Sequence, residues 1–368
     1  MPVLERIAIQ DFRNIVFQEL SFSPNVNCVS GNNGVGKTNL MDAIWYLSMT
    51  KSALAPSDRF NFRHGTEAFA IAGTYDMGSG PKTRFSVQVD SKGDKKVRRD
   101  DKPYPRVADH IGILPIVMVS PSDTSLVSES GEDRRRFVNS VLSQMDREYL
   151  SAIQQYNRLL SQRNKMLKDG VRDDGLLSVF DERMEAFARR VFQAREKFVQ
   201  DLQPIVEDRY AILSGGREAV SISYQSDLRK GSLADLLKAS REKDWTLGYT
   251  TAGVQRDDLV FKMDGYPIRR CGSQGQQKSF LVSLKFAQYE IMRSRYGFPP
   301  SLLLDDVFDK LDMGRIGNLL GMVAGNDYGQ IFITDSNKVR MAGIVDNLTS
   351  DRAYFEVEAG EFKEVRDA

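Results

Sequence analysis

Residues 31–39 read GNNGVGKTN, in which Gly31, Gly36, Lys37 and Thr38 satisfy the pattern G-x-x-x-x-G-K-[ST]. Glycines take backbone dihedrals closed to other residues, so successive N–H groups turn inward. With the positive end of a following helix dipole they form a cradle for phosphate oxygens. Gly31, Asn32, Asn33, Gly34, Val35 and Gly36 would build that cradle, with Asn39 just beyond it. Lys37 is expected to reach the β- and γ-phosphates of a bound nucleotide and Thr38 to ligate Mg²⁺. The flanks fit: Val26, Cys28 and Val29 suit a short buried strand, and Leu40, Ala43, Ile44 and Leu47 recur on one helix face. Strand, glycine loop and helix point to nucleotide binding. Its use stays open here, because kinases, GTPases, transporters and DNA machines share this loop.

Far downstream, residues 301–312 read SLLLDDVFDKLD. Leu302, Leu303 and Leu304 make a continuous apolar run, as expected of a central parallel strand covered on both faces, and it ends in two carboxylates. Asp305 is placed to hold Mg²⁺ and Asp306 to orient or deprotonate the attacking water. Between these motifs, residues 271–280 read CGSQGQQKSF, followed by Leu281, Leu284 and Gln288 at helical spacing. Ser273, Gln274, Gly275 and Gln276 resemble the signature motif of ABC-type ATPases, where a serine hydroxyl, a glycine N–H and a helix N-terminus meet a γ-phosphate. In that superfamily the signature serves the nucleotide of a partner copy. Ser-x-Gly-x before a helix is also an ordinary N-cap. The order phosphate loop, signature, acidic strand end favours the signature, and makes Lys37, Asp306, Ser273 and Gln276 the candidate catalytic set.

Together with FRN at 12–14, SPSD at 120–123, GEDRRRF at 131–137 and RDD at 256–258, these motifs resemble the RecF family of bacterial DNA replication and repair proteins. These are ABC-type ATPases related to SMC heads, and the resemblance spans essentially the whole chain. It implies an α/β ATPase head of the ABC/SMC type, a P-loop lobe with a mixed sheet plus a mainly helical second lobe. It further implies an ATP-dependent homodimer, binding to duplex DNA near single-strand gaps, and work with RecO and RecR in loading recombinase. Some positions depart from the pattern. Gln255 stands where the family usually has histidine, Asp309 where a small residue is usual, and Asp335 where ABC proteins often place a histidine; no glutamine lies near residues 120–123.

Composition narrows the partners. The two cysteines and two histidines are widely separated, so any metal must be held by oxygen. No run of 18 apolar residues and no signal-like N-terminus is readable, so a cytoplasmic protein without membrane association is expected. A balance of 51 Lys+Arg against 50 Asp+Glu decides nothing by its sum. Distribution says more: residues 82–106 hold nine basic and four acidic side chains, including Lys95, Lys96, Arg98 and Arg99, and Arg134, Arg135 and Arg136 form a second knot. Both are candidate DNA contacts, solvated surface being the alternative.

Leu142, Met145, Tyr149, Ala152, Tyr156 and Leu159, and then Leu177, Phe180, Met184, Phe187, Val191, Ala194 and Phe198, alternate at three and four residues around a glycine-rich turn. A short helical hairpin is expected there, too short for an SMC coiled coil. Lobe one is placed at residues 1–119 and 299–368 and lobe two at 120–298. Two other readings compete. A transporter ATPase subunit would require a coupling-helix surface, a glutamine loop and a Ser-Gly-Gly signature, and a phosphotransferase would have no use for residues 273–276.

Overall fold

The computed structural model describes residues 1–170, 172–308, 313–323, 328–338, 343 and 349–365. The chain divides into two compact units, Met1–Asp123 with Gln288–Ala368, and Thr124–Ala287. The second boundary lies eleven residues before the expected 298/299, inside one continuous helix. Its distal half is held with the first unit, because Tyr289 stacks on Tyr328 at 4.8 Å and its hydroxyl accepts from the Gly329 N–H.

In the first unit, β1 (Val3–Phe12), β2 (Ile15–Ser21), β3 (Val26–Ser30), α1 (Lys37–Met49), β4 (Ala68–Asp76), β5 (Thr83–Asp90), β6 (Lys95–Arg99), β7 (Lys102–Pro103) and β8 (Ile116–Val119) come first. The second unit holds α2 (Ser125–Ser128), α3 (Gly131–Met145), α4 (Arg147–Asp169), α5 (Asp174–Ser214), β9 (Val220–Gln225), α6 (Leu233–Leu247), β10 (Asp258–Met263), β11 (Tyr266–Pro267) and α7 (Ile268–Cys271). Helix α8 (Gln274–Tyr296) carries the boundary, and β12 (Ser301–Asp305), α9 (Met313–Val323), β13 (Ile331–Asp335), β14 (Arg352–Glu358) and β15 (Glu361–Val365) complete the first unit.

One sheet of the first unit is antiparallel, in the order β2-β1-β4-β5-β6-β7, and the other is mixed, in the order β15-β14-β3-β13-β12-β8. In the mixed sheet β14, β3, β13, β12 and β8 run parallel, so their C-terminal ends share one edge. Strands β3, β12 and β13 are apolar along most of their length for that reason: both faces are covered. Ligands of such sheets bind beyond the carboxyl ends of the strands.

Sequence spacing marked one apolar face on α1, yet Met41, Trp45, Tyr46 and Met49 are buried as well as Leu40, Ala43, Ile44 and Leu47. The helix belongs to one apolar cluster with Ile9 and Val87 of the antiparallel sheet and Phe332 and Phe355 of the mixed sheet. Burial thus extends round the helix, and its buried polar members Lys37, Asp42 and Ser48 each have hydrogen-bond partners.

The expected helical hairpin is present as α4 and α5, but Leu142 and Met145 belong to α3. Asp146 breaks the run: extended at φ −141°, its side chain accepts the Tyr149 N–H and caps α4. The second unit also holds a three-stranded sheet, β11-β10-β9. Inside it, fully buried Arg163 pairs with Asp181 and Asp244, and Arg195 pairs with Asp257. Among the described residues no helix is long and apolar enough to cross a membrane.

His110, buried against Phe85 and Tyr104, donates from Nε2 to the Leu47 carbonyl at 2.8 Å, while Nδ1 has no partner. Burial holds its pKa below the ordinary histidine value, against the opposing effect of the Leu47 hydrogen bond. Below pH ~6.5 the unfolded chain therefore takes up a proton that the native state resists, and stability falls as pH drops, by at most about 1.4 kcal/mol per pH unit. His110→Gln should flatten the decline in unfolding free energy between pH 7 and 5, read by urea titration.

Candidate nucleotide site

The phosphate loop joins β3 to α1. Lys37 is buried, and its Nζ donates to the carbonyls of Gly31 at 2.8 Å and Asn32 at 3.1 Å, so the cation already lies across the loop. Gly36, at φ 122°, could not carry a side chain: a Cβ there would sit 2.9 Å from Asn14 Nδ2. The first helical turn closes with the Asn39 and Leu40 N–H groups donating to the Gly36 carbonyl. Asn39 is tied on its other side, its Nδ2 donating to Asn14 Oδ1 at 2.7 Å and its Oδ1 accepting from Arg13.

The acidic strand end meets this loop. The Thr38 hydroxyl donates to Asp305 Oδ1 at 3.1 Å, and the Thr334 hydroxyl donates to the same oxygen at 2.6 Å. Parallel pairing in register sets this geometry, Asp305 standing beside Thr334 and Asp335 beside Ser30. Asp305 Oδ2 is buried and has no hydrogen-bond partner. Burial raises the Asp305 pKa; hydrogen bonds from Thr334 and Thr38 oppose this, Asp306 adds to it and Lys37 offsets it. An acceptor-only oxygen beside a threonine hydroxyl, in a site that penalises bare negative charge, fits an oxygen-ligated divalent cation. Asp306 adopts φ 46°, left-handed for a non-glycine residue, and its N–H is held by Thr334 Oγ1 at 3.0 Å. Strain of this kind persists where surrounding contacts enforce it. Asp309 and the rest of 309–312 lie outside the described residues. Asp335, at the histidine position of ABC proteins, is buried and accepts the Asn337 N–H.

Beside Asn39 lies a cavity of about 740 Å³ lined by Arg13, Pro56, Phe60, Arg63 and His64 among others. Arg13 anchors its wall through Asp42 at 2.6 Å and through Ser52 and Asn61. Sequence reasoning passed over both this cavity and Thr334. A threonine ending the apolar strand QIFIT was the available signal for the latter; the cavity is assembled from a loop with no periodicity to read.

In the second unit, Ser273 and Gln276 form a reciprocal cap at the start of α8: Ser273 Oγ accepts the Gln276 N–H, and Gln276 Oε1 accepts the Ser273 N–H at 2.7 Å. The Gln276 amide also donates to Glu218, so the structure commits this side chain to the cap. Ser273 and Gln274 remain exposed, with Gly275 half-buried between the two capping residues. Gln255 accepts from the Tyr156 hydroxyl and donates to the Ala252 carbonyl, which braces the turn before Arg256.

The basic candidates separate. Lys95 is held by Asp58 at 2.8 Å and the Thr50 carbonyl at 2.7 Å, and lies over the Tyr46 ring. Arg134 grips both oxygens of Asp258, Arg135 donates to the Asp257 carbonyl, and Arg136 pairs with Glu132 and Asp133 on its own helix. Lys96 and Arg98 share the opposite face of β6 from Lys95, paired with Gln88 and Ser86, and Arg99 is exposed at the strand end. Of the four candidates on β6, Lys96 and Arg99 are exposed and Arg98 is half-buried, with Arg99 also 4.0 Å from Asp100 and over the Phe85 ring.

Thr334→Val keeps shape but strips Asp305 Oδ1 of a buried donor and Asp306 N–H of its acceptor. It should lower unfolding free energy by about 1–3 kcal/mol, measured by denaturant titration, with the acidic strand end loosened.

A family model described as the RecF/RecN/SMC N terminal domain matches residues 3–351. A DNA replication and repair protein RecF of Phocaeicola vulgatus is 41% identical over 99% of both chains, and one of Porphyromonas gingivalis is 42% identical over 98% of this chain and 99% of its own. Among solved structures, the recombination mediator RecF with ATP, in the RecFOR pathway, superposes with a TM-score of 0.89 at 26% identity, covering 99% of this chain and 98% of that one. An Smc head from Pyrococcus furiosus gives a TM-score of 0.60 at 14% identity, a likeness of fold. A phosphate loop and an acidic strand end joined through Thr38 and Asp305, on a head of the SMC type and with relatives alike from end to end, place this chain in the RecF family of DNA replication and repair proteins.

Proposed function

We propose that the protein is an ATP-gated, DNA-binding dimer of recombinational and gap repair, in which slow hydrolysis acts as a switch. The observation that carries this reading is the union of phosphate loop and acidic strand end through the Thr38–Asp305 hydrogen bond. Inward N–H groups of residues 31–38 and the N-terminus of α1 bind the phosphates, and Lys37 exchanges its two loop carbonyls for β- and γ-phosphate oxygens. The cavity beside Asn39 takes the base, with exposed Phe60 as a stacking face. Thr38 and Asp305 would hold Mg²⁺, which supplies charge neutralisation to the phosphates; the unpartnered Asp305 Oδ2 supports that assignment. Asp306 orients the water for in-line attack, and its short reach compared with glutamate suits slow turnover.

Ser273 and the N-terminus of α8 are offered to the nucleotide of a second copy, so ATP closes a dimer. Dimerisation brings two sets of Lys96, Arg98 and Arg99 together, a positive surface for duplex DNA at gaps. RecO and RecR enter as partners because the solved relative bound to ATP is assigned to the RecFOR pathway.

Sizing the protein with ADP, ATP and a slowly hydrolysed analogue, with and without gapped duplex, tests the scheme: dimers should form with ATP and the analogue. Lys37→Ala should abolish ATP binding in a direct titration. Ser273→Arg should bind ATP yet stay monomeric, and a dimer from that variant would leave Ser273 as a cap alone.

Lys96, Arg98 and Arg99 replaced together by alanine should weaken duplex binding across unrelated sequences and flatten its salt dependence, by on the order of one log-log unit for each phosphate no longer neutralised. ATP-driven dimerisation should be untouched. Anisotropy at several salt concentrations reads this, and an unaltered slope would return these residues to ordinary solvated surface.

A further inference from the structure

Two segments far from the phosphate loop in sequence converge on one of its carbonyls. Val35 O accepts from the Gly360 N–H at 2.8 Å and from Asn14 Nδ2 at 3.0 Å. Asn14 lies in the β1–β2 turn, and Gly360 in the turn between β14 and β15. The two segments approach closely: a Cβ on Gly360, whose φ is 85°, would lie 2.6 Å from Asn14 O. Asn14 Oδ1 takes the Asn39 amide, so one side chain ties the loop to the first turn of α1. At the other end of the loop a Cβ on Gly31 would meet Val357 O at 2.6 Å, so the β14–β15 hairpin abuts both ends of the cradle.

We propose that Asn14 and the Ala359–Gly360 turn are positioning residues for phosphate binding, acting as a clamp that sets the orientation of the Val35–Gly36 peptide. This rests on the nucleotide-site reading above. The peptide is trans, so its N–H points opposite to its carbonyl. With Val35 O fixed outward by two donors, the Gly36 N–H is turned into the loop, where a phosphate oxygen needs it. Without the clamp the glycine peptide is free to rotate, since Gly36 has few steric limits, and the nest must be ordered at the expense of binding energy. Gly360 is glycine because the close approach to Asn14 O and the left-handed turn both exclude a side chain.

The test uses the full chain carrying Asn14→Ala or Gly360→Ala. Titration with a fluorescent ATP analogue, competed by ADP and by inorganic tripolyphosphate, separates phosphate binding from contacts to the base. Each variant should raise the dissociation constants for all three by about the same factor, on the order of tenfold; the Tm without nucleotide should stay close to that of the unaltered protein for Asn14→Ala and fall for Gly360→Ala, whose added Cβ meets Asn14 O. Asn14→Ala relieves a contact rather than creating one, so it reads the clamp even where Gly360→Ala unfolds. Unchanged constants for Asn14→Ala, or a loss confined to ATP and ADP with tripolyphosphate unaffected, would overturn the clamp. Failure of the unaltered protein to bind ATP would instead overturn the nucleotide site.

Discussion

One buried hydroxyl organises the acidic side of the site. Thr334 donates to Asp305 and accepts from the Asp306 backbone, so a single oxygen fixes a candidate metal ligand and the residue that would orient water. Burying a carboxylate costs free energy unless its lone pairs are satisfied. Here one oxygen receives two hydroxyls and the other receives none, an asymmetry that leaves the second as the acceptor for a cation. The left-handed turn at Asp306 depends on the same contact. Because Asp305 and Thr334 are register neighbours on parallel strands, a slip of one residue between β12 and β13 would dissolve the whole arrangement.

The loop side depends on a different constraint, the near absence of freedom for α1. A helix packed between two sheets cannot rotate without opening the core, so its N-terminus presents the Lys37 and Thr38 amides in one direction. Arg13 extends that rigidity toward the cavity beside Asn39: it reaches Asp42 in the helix and Ser52 beyond it. Residues 12–14, which served first as a family marker, thereby acquire physical work. Phe12 packs in the core, Arg13 braces the cavity wall, and Asn14 holds the loop.

Much of this was legible in the sequence because it is local. The phosphate loop, the apolar strand ending in Asp305 and the capping pattern at Ser273 are each contained within a dozen residues, and periodicity carries the rest. What stayed hidden is non-local. Thr334 acts on Asp305 only through sheet order, Gly360 touches Val35 across more than 300 residues of chain, and the cavity wall is irregular. The boundary inside α8 was misplaced because a helix continues through it, and helical spacing says nothing about which core each half joins. The run through Met145 read as one helix because apolar spacing outlasts a single capping aspartate.

Counting charges misleads for the same reason. In the sequence, Lys95 and Arg134 look like Lys96 and Arg98, yet the first two are neutralised by Asp58 and Asp258. Arg163 and Arg195 are sealed inside the second unit with their own aspartates, where they shape its interior and offer nothing to a phosphate. Lys95 does more than drop out of the basic strand. It fastens β6 to the end of α1 and to Asp58, whose near neighbour Phe60 lines the cavity. The strand bearing Lys96, Arg98 and Arg99 and the loop that lines the cavity are therefore joined by one half-buried ammonium.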